Sequence, residues 1–416
     1  MLRNKFYLIA FVFLMQNLYA EEITRTNKTP HIKELNIVWH YPFHTDTGSA
    51  ESFLTPLIVG DHVIFSSSFN TAPGKEQGFR VLHKITGENH PAWQHEPGGV
   101  VDSGDIINAI QRGGTAHPII FAGNSSALYA IDLNSGKKLW KSEHSPNVGI
   151  PAFSMFGSEA FQNYNPPTGG LSNSWSRIGK CDMLSGEKVD LVELWMEEDY
   201  EFLVRPPAWT ISDEDTLLLF LSSGWNFTES RGRINAYCYN ITRRKMEWEK
   251  KNIYEGGSAG FQTPFIDDGK VFFQTISSVH CFNIATGKEI WVHAASLSDG
   301  YSLTPMIFEK GRIYLRSQQG IVTCLNASDG EILWENTTVK PVPVMLGNMG
   351  VYNGHIYLTG GKGQDVLLHC FSLENGDLEW SSHGPAGRIS GGITIDKETG
   401  FIYCTSDWSV MCLKLH

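Results

Sequence analysis

Apolar residues along this chain fall into short runs closed by turn residues, as in FIYC at 401–404 and SVMCL at 409–413. Such runs, bounded by Gly, Asn, Asp and Ser, predict β-strands, and no stretch keeps coiled-coil heptads. One arrangement recurs. Residues 127–140 read ALYAIDLNSGKKLW, residues 279–291 VHCFNIATGKEIW, residues 322–334 VTCLNASDGEILW and residues 368–380 LHCFSLENGDLEW. Each copy runs from a small residue through Asp, Asn or Ser to Gly and then Trp, at fixed spacing. Weaker copies occupy 79–93, 178–195 and 234–248. The pattern predicts a hairpin whose Gly sits in the turn at positive φ. The Trp lies on the following strand, where it packs on the small residue and on a neighbouring unit.

The Trp positions set the period. Trp93, Trp140, Trp195, Trp248, Trp291, Trp334 and Trp380 are separated by 47, 55, 53, 43, 43 and 46 residues. That is the size of one four-stranded propeller blade. An eighth blade appears when the ring is closed. Residues 401–404 and 409–413 supply its second and third strands, with Cys412 in the small-residue slot, and the chain ends at His416 before a Trp arrives. Trp39, in NIVWHY, supplies the fourth strand. Joining the termini in one sheet removes both free edges. The expected fold is therefore all-β: an eight-bladed β-propeller with four-stranded blades over residues 34–416, closed by N- and C-terminal strands.

One apolar run does not belong to a strand. Arg3 and Lys5 precede FYLIAFVFLM at 6–15, and a short polar stretch ends at Ala20. This reads as a signal peptide over 1–20, cut after Ala20, followed by a lead at 21–33. The run is short of the roughly 20 residues that span a bilayer. The expected location is secreted, luminal or periplasmic.

Composition excludes disorder, since 41% of residues are hydrophobic and 12% aromatic. The net charge is −11 and no basic stripe occurs, which argues against nucleic acid as a partner.

The repeat resembles the quinoprotein-type, or PQQ-like, propeller repeat over residues 34–416. Proteins of that kind include quinone-dependent dehydrogenases, bacterial outer-membrane assembly factors and luminal stress-sensor domains. For a dehydrogenase the resemblance implies PQQ and calcium over the channel, with an acidic residue as general base. The adjacent-cysteine disulfide of many such enzymes is missing here. Nor does the chain contain CxxCH for haem or paired CxxC for structural zinc. Cys238, Cys281, Cys324, Cys370 and Cys412 share the slot held by Ala130, with Cys181 one residue away, and are expected to be buried free thiols. Cys404 and Cys412 could pair across a hairpin.

Candidate chemistry lies on the face lined by turns between second and third strands and by blade-to-blade connections. Three of those turns read long: 66–78, 161–176 and 222–233. The last two belong to neighbouring blades, so Asn163, Tyr164, Trp175, Trp225, Asn226, Glu229 and Arg231 are expected to converge. Asp102, Arg205 and Arg388 in the connections are further ligand-binding candidates, as an Arg near carboxylates can hold an anionic ligand. Asn226 and Asn336 are candidate glycosylation sites among the Asn-X-Ser/Thr sequons. Arg316, beside a tight turn, is expected to matter little. Gly256–Gly260 fits GxSxG without the helix that motif needs, and His40 with His44 lacks a third ligand, so no metal is expected. No catalytic residue stands out. The leading expectation is a scaffold that binds a protein, small-molecule or glycan ligand on the loop-bearing face. The alternatives are a PQQ-dependent dehydrogenase oxidising alcohols or sugars, and a polysaccharide-processing enzyme.

Overall fold

The computed structural model describes residues 31–42, 50–51, 55–69, 78–93, 109–113, 119–123, 127–143, 153–156, 159–164, 175–195, 200–226, 228–255, 263–295, 305–317, 320–337, 349–359, 366–383, 389–406 and 409–415. The signal peptide expected over 1–20 lies outside them. Strands account for nearly all regular structure, and among the described residues no helix is long and apolar enough to cross a membrane.

Eight antiparallel sheets follow one another around an eight-bladed β-propeller. Blade one has strands Leu57–Val59, His62–Phe69 and Gly78–His83, with Ala50–Glu51 added to the second. Blade two has Ala109–Gly113, Ile119–Gly123, Ala127–Asp132 and Lys138–Glu143; blade three has Phe153–Phe156, Glu159–Tyr164, Trp175–Asp182 and Lys188–Trp195. Blade four has a first strand broken into Tyr200–Val204 and Ala208–Ser212, then Asp215–Asn226, Arg231–Asn240 and Lys245–Glu255. Pro206 and Pro207 sit at the break and have no N–H to offer the ladder. Blade five has Phe265–Asp267, Lys270–Gln274, Ser278–Asn283 and Glu289–Ala294; blade six has Ile307–Glu309, Arg312–Arg316, Val322–Asn326 and Ile332–Asn336. Blade seven has Gly350–Tyr352, His355–Thr359, Val366–Ser372 and Leu378–His383. Blade eight has Ile389–Asp396, Phe401–Ser406 and Ser409–Lys414, completed by Asn36–Pro42 from the other end of the chain.

The register places the repeat's slots as the spacing predicts. Trp140 faces Ala130, and Trp248, Trp291, Trp334, Trp380 and Trp39 face Cys238, Cys281, Cys324, Cys370 and Cys412. A bulge accompanies each pair. All seven cysteines are free and buried, so Cys404 and Cys412 are not bonded. The Asp/Asn slot caps its turn: Asp132 Oδ1 accepts from Ser135 N at 2.7 Å and Asn283 Oδ1 from Thr286 N at 2.9 Å.

The turn glycine does more than supply positive φ. It lies beneath the indole of the preceding blade's Trp. A Cβ on Gly87, Gly186, Gly287 or Gly330 would come within 2.6–2.8 Å of Trp39, Trp140, Trp248 or Trp291. Five indole N–H groups then donate to the next blade's backbone: Trp39 to Lys84 O at 3.1 Å, Trp93 to Leu133 O at 2.7 Å, Trp140 to Met183 O at 2.9 Å, Trp248 to Ile284 O at 2.6 Å and Trp291 to Ala327 O at 3.2 Å.

Two copies depart from the expected blade. Trp93 is docked, but it lies in a short 3-10 turn, Pro91–Trp93, rather than on a fourth strand. Pro91 cannot donate to a ladder. Trp195 is not a docking residue at all. It is 64% exposed at the end of its strand, opposite Trp175. Its blade has Val189 opposite the slot residue Lys180, without the bulge there that seats a Trp in other blades. The next blade matches this loss: its turn carries Arg244 at φ 53 where the others carry Gly. With no indole to receive, that position needs no missing Cβ. Tyr239 of blade four instead donates its hydroxyl to Leu191 O of blade three at 2.9 Å.

Closure uses two strands. Asn36–Pro42 pairs antiparallel with Ser409–Lys414, and His31–Glu34 pairs parallel with the outer strand of blade seven. The end of the expected lead is thus a fifth strand on blade seven. Trp380 has no intact turn ahead of it, because the termini interrupt that turn. It packs near Leu35 and Leu415, with the Lys33 ammonium 5.0 Å from its ring centre.

Candidate functional site

The second strand of each blade ends toward the candidate face. Its fifth ladder position reads Ser66, Gly123, Asn163, Leu221, Gln274, Arg316, Thr359 and Thr405, directly after an apolar residue in every blade but the third, where Gln162 precedes it. Gln274, Arg316, Thr359 and Thr405, with Ser222 and Ser223 of blade four and polar third- and fourth-strand neighbours such as His280, His369 and Ser381, form a buried polar belt beneath the face. In blade four Ser222 Oγ donates to the Tyr237 hydroxyl at 3.2 Å, Asn235 Nδ2 donates to the same oxygen at 3.1 Å, and Asn252 N donates to Asn235 Oδ1 at 2.9 Å. Burial raises the Tyr237 pKa, so it stays a neutral hydroxyl. Arg205, at the proline break, is 5% exposed and donates to Ser223 Oγ at 3.0 Å.

Blade five carries the connectivity of a nucleophile, base and acid. Ser278 Oγ lies 2.8 Å from His280 Nε2, and His280 Nδ1 lies 2.7 Å from Glu289 Oε1. Triads of this kind are recognised by geometry rather than position. Here Ser278 is 1% exposed and also 2.7 Å from Thr275 Oγ1, so its oxygen faces protein rather than a substrate cleft. Burial lowers the His280 pKa, with Glu289 opposing it. The network satisfies a buried imidazole.

Arg316 overturns its expectation. It is 2% exposed, not a surface residue beside a turn, and it reaches across to blade seven. Its Nη1 and Nη2 donate to Thr359 Oγ1 at 3.4 Å and Thr359 O at 3.2 Å. Burial lowers its pKa to about 10, which leaves it charged at neutral pH. Neighbouring His369 is driven down to about 4, by burial first and by Arg316 second, while its Nδ1 bonds Ser381 Oγ at 2.8 Å. The clue was present: Arg316 closes the apolar run RIYLR at a position that is polar in most blades.

The sequence candidates separate into three groups. Asp102 and Arg388 lie outside the described residues. Asn163, Tyr164 and Trp175 lie on the second and third strands of blade three, paired as Asn163 with Ile178, Tyr164 with Arg177 and Trp175 with Trp195. The remainder stand on blade four, where residues 222–233 form no open loop. They are the end of a long hairpin, with Trp225 opposite Gly232 and Asn226 opposite Arg231. Asn226 is 4% exposed, because its Oδ1 accepts from Thr228 N and Glu229 N, both at 2.9 Å, to close the turn. Asn336 Nδ2 donates to Gly376 O at 2.7 Å. Glu229 is exposed, Trp225 is half-buried, and Arg231 pairs with Glu255. The two blades meet here: Val204 N donates to Ser176 Oγ at 3.3 Å, next to Arg205 on one side and Trp175 on the other.

Residues 275–401 match the sequence profile of the outer membrane protein assembly factor BamB family. These residues carry PQQ-like repeats. Solved propellers that share the fold include BamB from Moraxella catarrhalis, at 16% identity and TM-score 0.59 over 92% of this chain and 100% of that one. A europium-containing methanol dehydrogenase aligns at 13% identity and TM-score 0.62, over 89% and 84% of the two chains. The computationally designed Ika8 protein aligns at 11% and 0.61, over 88% and 98%. At these identities the likeness shows the fold alone. No curated protein sequence matches the chain. The PQQ-like repeats thus account for the architecture and leave the activity to the face.

Proposed function

We propose that the protein is a secreted, luminal or periplasmic scaffold that holds a protein partner on the face bearing the blade-four hairpin. One observation carries the reading. The second strand of blade four continues five residues past its fifth position, from Ser222 to Asn226, while those of blades five, six and seven stop there. Five strand residues extend about 16 Å, so the hairpin stands above the rim at blades five to seven, while the second strand of blade one runs three residues past Ser66, to Phe69. Its end carries Trp225 and Arg231, the side-chain types that anchor interfaces. The polar groups beneath it are bonded to one another, which suits a rigid platform.

Cross-linking a captured partner should place its contacts on residues 222–233. Trp225→Ala, Arg231→Ala and Tyr164→Ala should each weaken binding by about 2 kcal/mol while leaving the melting temperature nearly unchanged. Saturable uptake of PQQ with calcium, with dye reduction on alcohols or sugars, would replace this reading with a dehydrogenase.

A further inference from the structure

Blade seven departs from other repeats at two positions together. The first residue of the second strand is Lys270 in blade five, Arg312 in blade six and Phe401 in blade eight, but His355 in blade seven, as it is His62 in blade one. The residue before the docking Trp is Ile290, Leu333 and Val38 in blades five, six and eight, but Glu379 in blade seven, an acid it shares with Glu247 of blade four, so that blade seven joins a His and a Glu that blades one and four carry singly. The slot between them holds Cys370.

The backbone brings these three residues together. Tyr357 faces Cys370 across the ladder, and His355 lies two residues before Tyr357, on the same face of its strand. Glu379 is the extra residue of the bulge between the Cys370–Trp380 and Phe371–Leu378 pairs. A bulge re-aims the side chain it adds, here toward the face that Cys370 occupies. His355 Nε2 consequently lies 3.0 Å from Glu379 Oε2. One ligand atom from each of His355, Cys370 and Glu379 lies within 4.8 Å of the other two. The side chains of His355 and Glu379 are 31% and 41% exposed, so the site meets solvent on their side, while Cys370 behind them is 1% exposed.

We propose that His355, Cys370 and Glu379 form a zinc site on blade seven, with a fourth position open to water. Imidazole, thiolate and carboxylate are the donors tetrahedral Zn²⁺ takes, and a thiolate disfavours Mg²⁺ and Ca²⁺. Burial, with Glu379 adding to it, raises the Cys370 pKa to about 12, so the metal-free site holds a thiol. Zinc forms the Zn–S bond as the S–H proton leaves to solvent, one proton per ion from that group. The ligands are 15 and 9 residues apart on three strands, a spacing that matches no zinc motif. Cysteine fills the same slot in four other blades, so the Cys370→Ala variant is what separates a zinc site from a plain His355–Glu379 ion pair.

The full chain, stripped of metal, is titrated with Co²⁺ and then Zn²⁺. One equivalent of Co²⁺ should bind and give a thiolate-to-metal charge-transfer band that Zn²⁺ abolishes, and Zn²⁺ should raise the melting temperature. Cys370→Ala copies blade two, where Ala130 fills the slot, so the blade should still fold while the band and the thermal shift disappear. His355→Arg and Glu379→Leu copy blade six and should weaken zinc binding by about tenfold or more. No saturable one-to-one binding by the wild type, or wild-type affinity in Cys370→Ala or in His355→Arg, would overturn the site.

Discussion

Single residues decide the junctions between blades. Gly287 and Gly269 both have positive φ, at 62° and 70°, but only Gly287 lies against an indole; a Cβ on Gly269 meets nothing within 4 Å. Gly269→Ala should therefore cost about 1–2 kcal/mol, the strain of the left-handed region alone. Gly287→Ala should cost about 1–3 kcal/mol more, because Trp248 must leave its seat. Equal losses by chemical denaturation would show that the glycine serves only its turn. Buried ionisable groups act at the same scale. His369 has a folded pKa of about 4 against 6.5 for an ordinary imidazole. The unfolded chain thus takes up the proton first as pH falls. The contribution is intact above about pH 7 and lost between about 6.5 and 4, up to about 3 kcal/mol. His280 shifts in the same direction. His369→Gln should flatten the acid limb of a stability–pH curve without altering its neutral plateau greatly. Arg316→Ala should be strongly destabilising, as it strips the donors from Thr359 and leaves a cavity at a fully buried position.

At the level of strands and blades, the regular copies were legible in the sequence. Fixed spacing from the small slot to Trp forces the Trp–Cys and Trp–Ala pairs that the register shows, and the same alternation buries the five slot thiols. Burial holds Cys281 and Cys238 near 12 and Cys324 near 11. A thiol reagent should therefore label them slowly until the protein unfolds, and mass analysis should find no native disulfide. Fast labelling of Cys324 in the folded state would contradict the register of blade six. The irregular copies were less legible, for physical reasons. Trp195 follows Gly186 by nine residues where Gly287 and Trp291 are four apart, so it overshoots the docking position. The blade-four hairpin read as a loop because Gly224, Asn226 and Gly232 look like breakers. The structure uses the Asn to cap a two-strand ladder instead. The buried polar belt also escaped notice, since each member is one polar residue at the end of an apolar run. Only superposing the repeats reveals the shared position.

For the whole molecule, everything depends on how a chain with two ends makes a ring with none. Trp39 carries the join to blade one. Its indole sits over Gly87, donates to Lys84 O, and meets Phe65 and Tyr403 with ring centres 6.3 and 6.1 Å away. Tyr403 of blade eight donates to the same Lys84 carbonyl at 3.1 Å, so three parts of the chain share one acceptor. The parallel strand His31–Glu34 adds a second fastening, on blade seven. The two fastenings predict different losses. Trp39→Ala should cost about 3 kcal/mol, since it removes a docking indole at a junction that has no other. Deleting residues 31–34 should cost less, because Asn36–Pro42 still completes blade eight, but it exposes the outer edge of blade seven and the ring of Trp380. Such an edge is a template for another chain. The truncated protein should thus melt only slightly earlier yet self-associate in a concentration-dependent way, measured by sedimentation. A monomeric truncation with the stability loss of Trp39→Ala would show that the parallel strand, rather than the indole, holds the ring shut.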